Sequence, residues 1–323
     1  MRHLSVIGIA TLAALIGGGC SSKKPPQPLR LGVNFWATTE FIFMAQDKKY
    51  FEEEGLPVEL VEYSSLTDLR RGFERGQVDA MASSLVEVLM ARENTRRRPQ
   101  VLLVVDFSNG ADFIVAKHNI PDVAGLKGRR VGVEGGSMGI FVLGRALEQV
   151  GLSLQDVTMI SKDQSTMARS YLSGEVDAAV TYPPFSVGVG RNSADGHLIF
   201  TSKQIPGEVV DLVAVDADKL HPEDAAKIQK IWKRILAYVA LHTEESYRAM
   251  AKREKISLEE FQATMNGLQV VSHDQQQALV ANGGLKVTVQ KTARFLQQTG
   301  VLRGIPDADD VLAPTSEQIS PRR

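Results

Sequence analysis

The sequence predicts an α/β protein made of two parallel-sheet lobes with a hinge and C-terminal helices. Three observations lead to this prediction. One pattern of strand, glycine and aspartate signals occurs twice in the first two thirds of the chain. Apolar segments follow each copy and have the composition of strands. The last third has apolar residues at the three- and four-residue spacing of helices.

The N-terminus has the order of an export signal. A short basic head precedes an uncharged apolar run, which ends at Cys20, the one cysteine of the chain. The run resembles a bacterial lipobox, although Gly17 stands where that motif usually has leucine. We expect a signal peptide over residues 1–19, lipidation of Cys20 and a linker over residues 20–28, with the exported chain anchored to a membrane and facing the periplasm or the cell exterior. The alternative is an ordinary secreted protein in which Cys20 is incidental.

Two copies of the repeat, separated by 96 to 100 positions, set the architecture. Each copy has a strand with a central glycine, Gly32 or Gly132, and ends in a Gly-x-Val-Asp-Ala segment. The predicted elements alternate between strand and helix, at 29–33, 39–54, 58–63, 67–75 and 78–82 in the first copy and at 130–133, 137–150, 157–161, 165–172 and 176–181 in the second. Strands that alternate with helices favour a parallel sheet covered on both faces.

The segments after each copy are interpreted as the crossovers of a hinge. Strands are expected over residues 101–105 and 112–117 on the way out, and over residues 209–215 on the way back. A chain that leaves one lobe and returns to it leaves a cleft between the two. The predicted division is 29–108 plus 209–310 for the first lobe, 109–208 for the second and 311–323 for a flexible tail. The C-terminal helices, the first of which opens at Pro222, are expected to pack on the first lobe.

Composition argues against several classes of function. The chain has 37 Lys and Arg against 38 Asp and Glu, so nothing favours nucleic acid as a partner. Its six histidines lack metal-ligand spacing, and the sequence contains no Gly-x-Ser-x-Gly elbow. We therefore expect no catalytic residue, no metal and no cofactor. We also expect the protein to be a monomer.

Ligands of parallel sheets bind beyond the carboxyl ends of the strands, where loops expose backbone donors. The repeat places such loops at 34–38, 64–65, 83–84, 134–138, 163–164 and 182–184. The Gly-Gly-Ser turn ending at Ser137 either holds an oxyanion or carbonyl, or only starts a helix with Ser137 as its N-cap. Trp36 and Tyr182 either form flat walls against a ligand or pack the lobes together.

Three aspartates flank or lie on the crossovers, namely Asp106, Asp112 and Asp211. They either bind a cationic or hydroxylated group or cap the hinge turns. For Asp112, capping is the preferred interpretation.

The order of several motifs resembles the nitrate, sulfonate and taurine branch of ABC-importer substrate-binding proteins, related to the NMT1/THI5-like proteins. The resemblance is carried by residues 106–112, 127–133, 136–137, 146–148, 151–152, 174–180 and 184–185. It implies a type II periplasmic-binding-protein fold that closes on a small molecule and delivers it to an ABC permease in the inner membrane. The family's ligand-binding positions fall on Asn34, Trp36, Thr38, Ser64, Ser83, Asp106, Ser108, Gly136, Ser137 and Tyr182.

The sequence departs from the sulfonate binders of that family. They commonly carry a polar residue shortly after the serine equivalent to Ser137, where this chain continues with Met138, Gly139 and Ile140. Acidic residues near the expected cleft are Glu40, Glu134 and Asp163. We therefore expect a neutral or cationic organic ligand.

Two other functions stay open on the sequence. One is an enzyme of pyrimidine- or menaquinone-type metabolism on the same fold. The export signal and the lack of a histidine cluster argue against it. The other is a ligand sensor that docks on a membrane receptor.

Overall fold

A computed structural model describes residues 27–189, 196–219 and 221–313. The expected signal peptide, Cys20, residues 20–26 of the linker and the tail beyond residue 313 lie outside these ranges. Within them, none of the helices has both the length and the apolar character needed to cross a membrane.

Strands and helices alternate through most of the described chain. The strands are β1 (Leu29–Val33), β2 (Val58–Glu62), β3 (Ala80–Ser84), β4 (Pro99–Ser108), β5 (Phe113–Lys117), β6 (Arg130–Val133), β7 (Thr158–Ser161), β8 (Ala178–Thr181), β9 (Gly196–Thr201), β10 (Val210–Asp216) and β11 (Leu268–Val270). The helices are α1 (Thr39–Asp47), α2 (Tyr50–Glu53), α3 (Leu66–Glu74), α4 (Leu85–Asn94), α5 (Met138–Glu148), α6 (Gln164–Leu172), α7 (Pro222–Leu241), α8 (Thr243–Glu254), α9 (Leu258–Met265), α10 (His273–Ala281), α11 (Gly284–Gln298) and α12 (Ala308–Val311).

The described strands form two sheets, one at the centre of each lobe. The first sheet has the order β11-β4-β10-β3-β1-β2 and the second β7-β6-β8-β5-β9. Each contains three parallel strands from one copy of the repeat. The crossover strands β10 and β5 run antiparallel to them, because the chain leaves and re-enters the sheets in opposite directions. Each sheet is therefore mixed rather than wholly parallel.

The two copies of the repeat fold with the same contacts. Arg30, in the first strand of one copy, binds Asp79 through Nε at 2.9 Å, and Arg130 binds Asp177 through Nε at 3.1 Å in the other. These ion pairs explain the aspartate of the Gly-x-Val-Asp segment, because each one ties the approach to the third strand to the first strand of its copy.

The central glycines of the first strands also have one role in both copies. A Cβ atom at Gly132 would lie 2.7 Å from Sδ of Met167, which belongs to α6 and is buried. A Cβ at Gly32 would overlap Leu69 of α3 in the same way. Glycine thus lets each helix approach its sheet closely.

The first helix is interrupted where the sequence predicts a continuous helix over residues 39–54. α1 ends at Asp47, and Lys49 has a φ of 61° before α2 begins. A left-handed residue breaks the helical hydrogen-bond ladder. Lysine gives no signal of this conformation, so the spacing of apolar residues alone did not predict the break.

The C-terminal helices cover the first sheet and reach the second lobe. On α7, the buried ring of Trp232 lies 5.9 Å from that of Phe41 in α1. On α11, the Phe295 ring packs edge to face on Phe141 of α5, with centroids 5.2 Å apart. α11 therefore contacts the second lobe in addition to the first.

Candidate functional site

Five buried carboxyl groups lie where the two lobes meet, and we call them the acidic cluster. Its members are Glu87, Asp106, Asp112, Glu134 and Asp211, and none is more than 8 % exposed. They come from α4, β4 and β10 of the first lobe and from the segments beside β5 and β6 of the second. The charge of Glu87 acts on Asp112, Glu134 and Asp211, and that of Asp106 acts on Asp112 and Asp211, which places the five groups in one electrostatic environment.

Asp106 is held by two side chains of the loop after β1. Its Oδ2 accepts hydrogen bonds from Trp36 Nε1 at 3.1 Å and from Thr38 Oγ1 at 2.6 Å. Its carboxyl is also hydrogen-bonded to the carboxyl of Asp211. Burial raises the pKa of Asp106 to about 6, and the two donated hydrogen bonds oppose that rise.

Asp211 lies directly opposite Asp106 on the neighbouring antiparallel strand. Burial, together with the charge of Asp106, raises the pKa of Asp211 well above its usual range. Two carboxyls in such contact do not both ionise readily. At neutral pH the proton of the pair therefore resides on Asp211.

Two other carboxylates cross the interface and bind the first turn of a helix in the opposite lobe. Glu87 Oε1 accepts a hydrogen bond from the backbone N–H of Met138, at the start of α5, at 2.9 Å. Glu134 Oε1 accepts one from the N–H of Thr67, at the start of α3, at 3.0 Å. Each lobe thus supplies an anion to a helix N-terminus of the other, where the helix dipole favours negative charge.

Burial raises the pKa of both crossing carboxyls. For Glu134 the value rises to about 7, opposed by the hydrogen bond from Thr67. For Glu87 the rise due to burial is opposed by hydrogen bonds from Ser84 and Met138. Glu134 Oε2 remains buried without a partner.

Backbone carbonyls of the Gly-Gly-Ser turn also join the lobes. Thr67 Oγ1 donates to the carbonyl of Gly135 at 3.1 Å, and Arg70 Nη2 donates to the carbonyl of Gly136 at 3.2 Å. Gly136 has a φ of 68°, which glycine adopts without strain. Ser137 is the N-cap residue of α5 by position, but its hydroxyl does not cap the helix.

Aromatic rings form one wall beside the acidic cluster. The Tyr182 ring lies edge to face on Trp36, with centroids 5.6 Å apart, and on Phe185, at 5.5 Å. The Tyr182 hydroxyl is buried without a partner. Burial and the charge of Glu134 raise the pKa of Tyr182, so its hydroxyl stays protonated and able to donate.

Asp112 lies at the end of the hinge turn that follows β4. Its carboxyl is 1 % exposed, and its Oδ2 has no partner. Burial raises the pKa of Asp112 to about 7, opposed by a hydrogen bond with Ser108 and reinforced by the charges of Asp106 and Glu87.

The remaining sequence-predicted positions have varied surroundings. Ser83 is buried, with an Oγ that lacks a partner, and Asn34 makes a local contact with the carbonyl of Phe35 at 3.4 Å. Ser108 Oγ lies 2.8 Å from Ser202 Oγ and is thus engaged in the hinge. Ser64 is exposed.

Sequence reasoning missed Glu87 altogether. The available signal was its position, because it is a charged residue inside the apolar run Leu85–Met90 of a helix. Such a residue is rarely buried unless it has partners. In the ranges described above, no three or more His, Cys, Asp or Glu residues form a group able to hold a metal ion.

Comparison with known proteins identifies related chains. The family model described as NMT1/THI5 like matches residues 36–245. A putative binding protein of Brucella abortus is 22% identical over 301 residues, covering 88% of this chain and 89% of the relative. The 4-amino-5-hydroxymethyl-2-methylpyrimidine phosphate synthase of Saccharomyces cerevisiae is 24% identical over 45% of this chain and 43% of its own.

A solved structure has the same fold. The alkanesulfonate-binding protein SsuA from Xanthomonas axonopodis pv. citri, bound to MOPS, superposes with a TM-score of 0.73 at 16% identity, over 90% of this chain and 99% of its own. The predicted fold class, a type II periplasmic-binding-protein fold, is confirmed.

Proposed function

Because this chain belongs to the NMT1/THI5-like family, we propose that it is the extracytoplasmic solute-binding component of an ABC importer. It captures a small organic molecule between its lobes and delivers it to a permease in the inner membrane. The observation that carries this proposal is the meeting of both lobes on buried polar atoms that lack partners. Buried polar groups in folded proteins are normally satisfied, so unpartnered ones at an interface favour a ligand as the missing partner.

The contacts between the lobes are suited to opening and closing. They include polar hydrogen bonds at Thr67, Arg70 and Met138, whose groups regain water when the lobes separate. A ligand that touches both lobes favours the closed state by the difference between its affinities for the two states. A permease that recognises the closed form then distinguishes loaded from empty protein.

The remaining parts of the proposal concern the lobe boundaries, the membrane anchor and the ligand contacts. The division into lobes at 29–108 plus 209–310 and at 109–208 places Glu87 and Glu134 on opposite sides of the cleft. Export and lipidation at Cys20 would hold the monomer beside the permease, through a linker that ends at about residue 28. Ligand contacts are proposed at the ten positions that the family resemblance indicates, together with the acidic cluster.

A second function is favoured by one observation, the match to the yeast pyrimidine phosphate synthase. That match covers less than half of either chain. The relatives that align over most of the chain include one named as a putative binding protein, which supports a role without catalysis.

The proposed function is tested by native mass spectrometry of the full chain, purified in mild detergent. We expect a 1:1 complex with a small molecule that is released unchanged after prolonged incubation. A released molecule that is chemically converted, or a protein that binds nothing during purification from rich medium, contradicts the proposal.

Variants locate the site in the same experiment. A combined Trp36→Ala and Ser137→Ala change should abolish the complex, and the milder Trp36→Phe should weaken it while retaining a buried ring. Tyr247→Phe serves as the control, because Tyr247 packs on Phe261 among the C-terminal helices. If the combined variant folds and retains the molecule in full, the cleft is not the binding site.

A further inference from the structure

We propose that the ligand carries a positively charged nitrogen group, such as a primary ammonium, an amidinium or a guanidinium, and that the site rejects sulfonates and other anions. This inference rests on the proposed function and specifies the chemical class of its ligand. It sets this chain apart from its structural neighbour SsuA, which is an alkanesulfonate-binding protein.

The first argument is the balance of charge at the interface. Within the described ranges, no member of the acidic cluster forms an ion pair with a lysine, arginine or histidine. Arg70 is the cation whose charge acts on Glu87. Its guanidinium binds Glu74 and the carbonyl of Gly136, and its Nε is buried without a partner. Buried charges in proteins are normally paired. Apart from the charge of Arg70 near Glu87, the described residues therefore supply the cluster with no positive partner.

The second argument is the supply of hydrogen-bond acceptors. Asp112 Oδ2 and Glu134 Oε2 are buried without a partner, whereas the carboxyls of Asp106 and Asp211 are hydrogen-bonded to each other. Ionised carboxylates only accept hydrogen bonds, whereas ammonium, amidinium and guanidinium groups only donate them. A sulfonate would add acceptors to a site that already has an excess.

The third argument comes from side chains outside the acidic cluster. The buried hydroxyl of Tyr182 lacks a hydrogen-bond partner. The nearby carboxyls help to raise its pKa, namely those of Glu134, Asp112, Glu87 and Asp211. The rings of Tyr182 and Trp36 lie against each other at this place. Aromatic faces beside carboxylates are a combination that binds organic cations.

The fourth argument concerns the positions where an anion would otherwise bind. The N-terminus of a helix is the usual place for an anionic group. At α5, the first-turn N–H of Met138 is taken by Glu87, and at α3 the N–H of Thr67 is taken by Glu134. The protein's own carboxylates therefore occupy these donors and repel a second negative charge.

The inference is tested with matched pairs of probes on the full chain. Benzamidine and benzenesulfonate have the same ring and opposite charges, and butylamine and butanesulfonate form an aliphatic pair. Thermal shift followed by calorimetric titration at pH 8 should show the cation binding at least tenfold more tightly than its sulfonate in at least one pair. Tighter binding of the sulfonates, or binding of none of the four, overturns the assignment.

Variants separate ligand recognition from folding. At pH 8, Asp112→Asn and Glu134→Gln should each lower the affinity for the tighter-binding cation at least tenfold, with an unchanged circular dichroism spectrum. The exposed Asp47→Asn is the matched control and should bind as the original chain does. Glu87→Gln keeps an oxygen that accepts from Met138 but removes the charge, so the preference for cation over sulfonate should fall. An unchanged preference in all three cluster variants contradicts the inference.

The outcome is distinguishable from a failure of the proposed function. If mass spectrometry finds a neutral or anionic molecule bound 1:1 and released unchanged, the chain is a binding protein and the charge assignment is wrong. If the bound molecule is converted, the binding function itself fails, whatever the charge of the molecule.

Discussion

Neutralising Asp112 should stabilise the ligand-free protein, by an amount that grows with pH. Its carboxyl pKa is raised from 3.8 to about 7 by burial, with a further contribution from the Asp106 and Glu87 carboxylates that face it. A carboxyl whose pKa is higher in the folded state favours folding while protonated. Below pH 3.8 it is protonated in both states, so it imposes no penalty there, and the penalty grows as the pH rises towards 7.

The size of the effect follows from the two pKa values. Each pH unit between them is worth about 1.4 kcal/mol, so the ionised Asp112 lowers the free energy of unfolding by about 4 kcal/mol at pH 8. Asp112→Asn removes this titration while retaining the shape of the side chain. The variant should therefore exceed the original chain in stability by up to about 4 kcal/mol at pH 8 and by about 1 kcal/mol at pH 4.5.

The assay is urea unfolding of the full chain at several pH values between 4.5 and 8, after removal of bound ligand by unfolding, dialysis and refolding. Asp47→Asn is the control, because an exposed carboxyl should not produce a gain that grows with pH. A stability difference that is constant across this range, or a less stable Asp112→Asn at pH 8, would refute the reasoning about the acidic cluster.

Three further predictions concern affinity, packing and the aromatic wall. The affinity for benzamidine, measured by calorimetry, should rise about 10- to 100-fold between pH 5.5 and 8. The carboxyls of Asp106 and Glu134 have pKa values of about 6 and about 7, and they must ionise to bind a cation. An affinity that falls over this range would indicate an anion site. Gly132→Ala should lower the free energy of unfolding by about 1–3 kcal/mol, because its Cβ would press on the core, whereas Gly304→Ala, with open space around it, should not. Trp36→Phe should lower the free energy of unfolding by about 1–3 kcal/mol at pH 8, because Asp106 loses one of its hydrogen-bond donors. An unchanged midpoint of urea unfolding would show that this hydrogen bond contributes nothing to stability.

Much of the fold was predictable because each copy of the repeat contains the residues that determine its own packing. Gly32 and Gly132 mark the strands on which a helix packs closely, and Asp79 and Asp177 mark the turn before a third strand. These features depend on neighbours within one copy. Local patterns therefore indicate them.

The acidic cluster was only partly predictable, because it depends on how the two lobes meet. The sequence marks Asp106 and Asp211 as hinge residues, but not their pairing across antiparallel strands. The binding of Glu87 to the first turn of α5 joins residues 51 positions apart that belong to different copies of the repeat. No spacing within either copy contains that information.

The most direct test of the central claim is a crystal structure of the full chain with the molecule that accompanies it through purification. We expect one organic molecule between the lobes, beside the Trp36 and Tyr182 rings, with a nitrogen within hydrogen-bond distance of Asp112 Oδ2 or Glu134 Oε2. An anion bound at the N–H of Met138 in place of the Glu87 carboxylate would contradict the charge assignment, and a molecule bound outside the cleft would contradict the site itself.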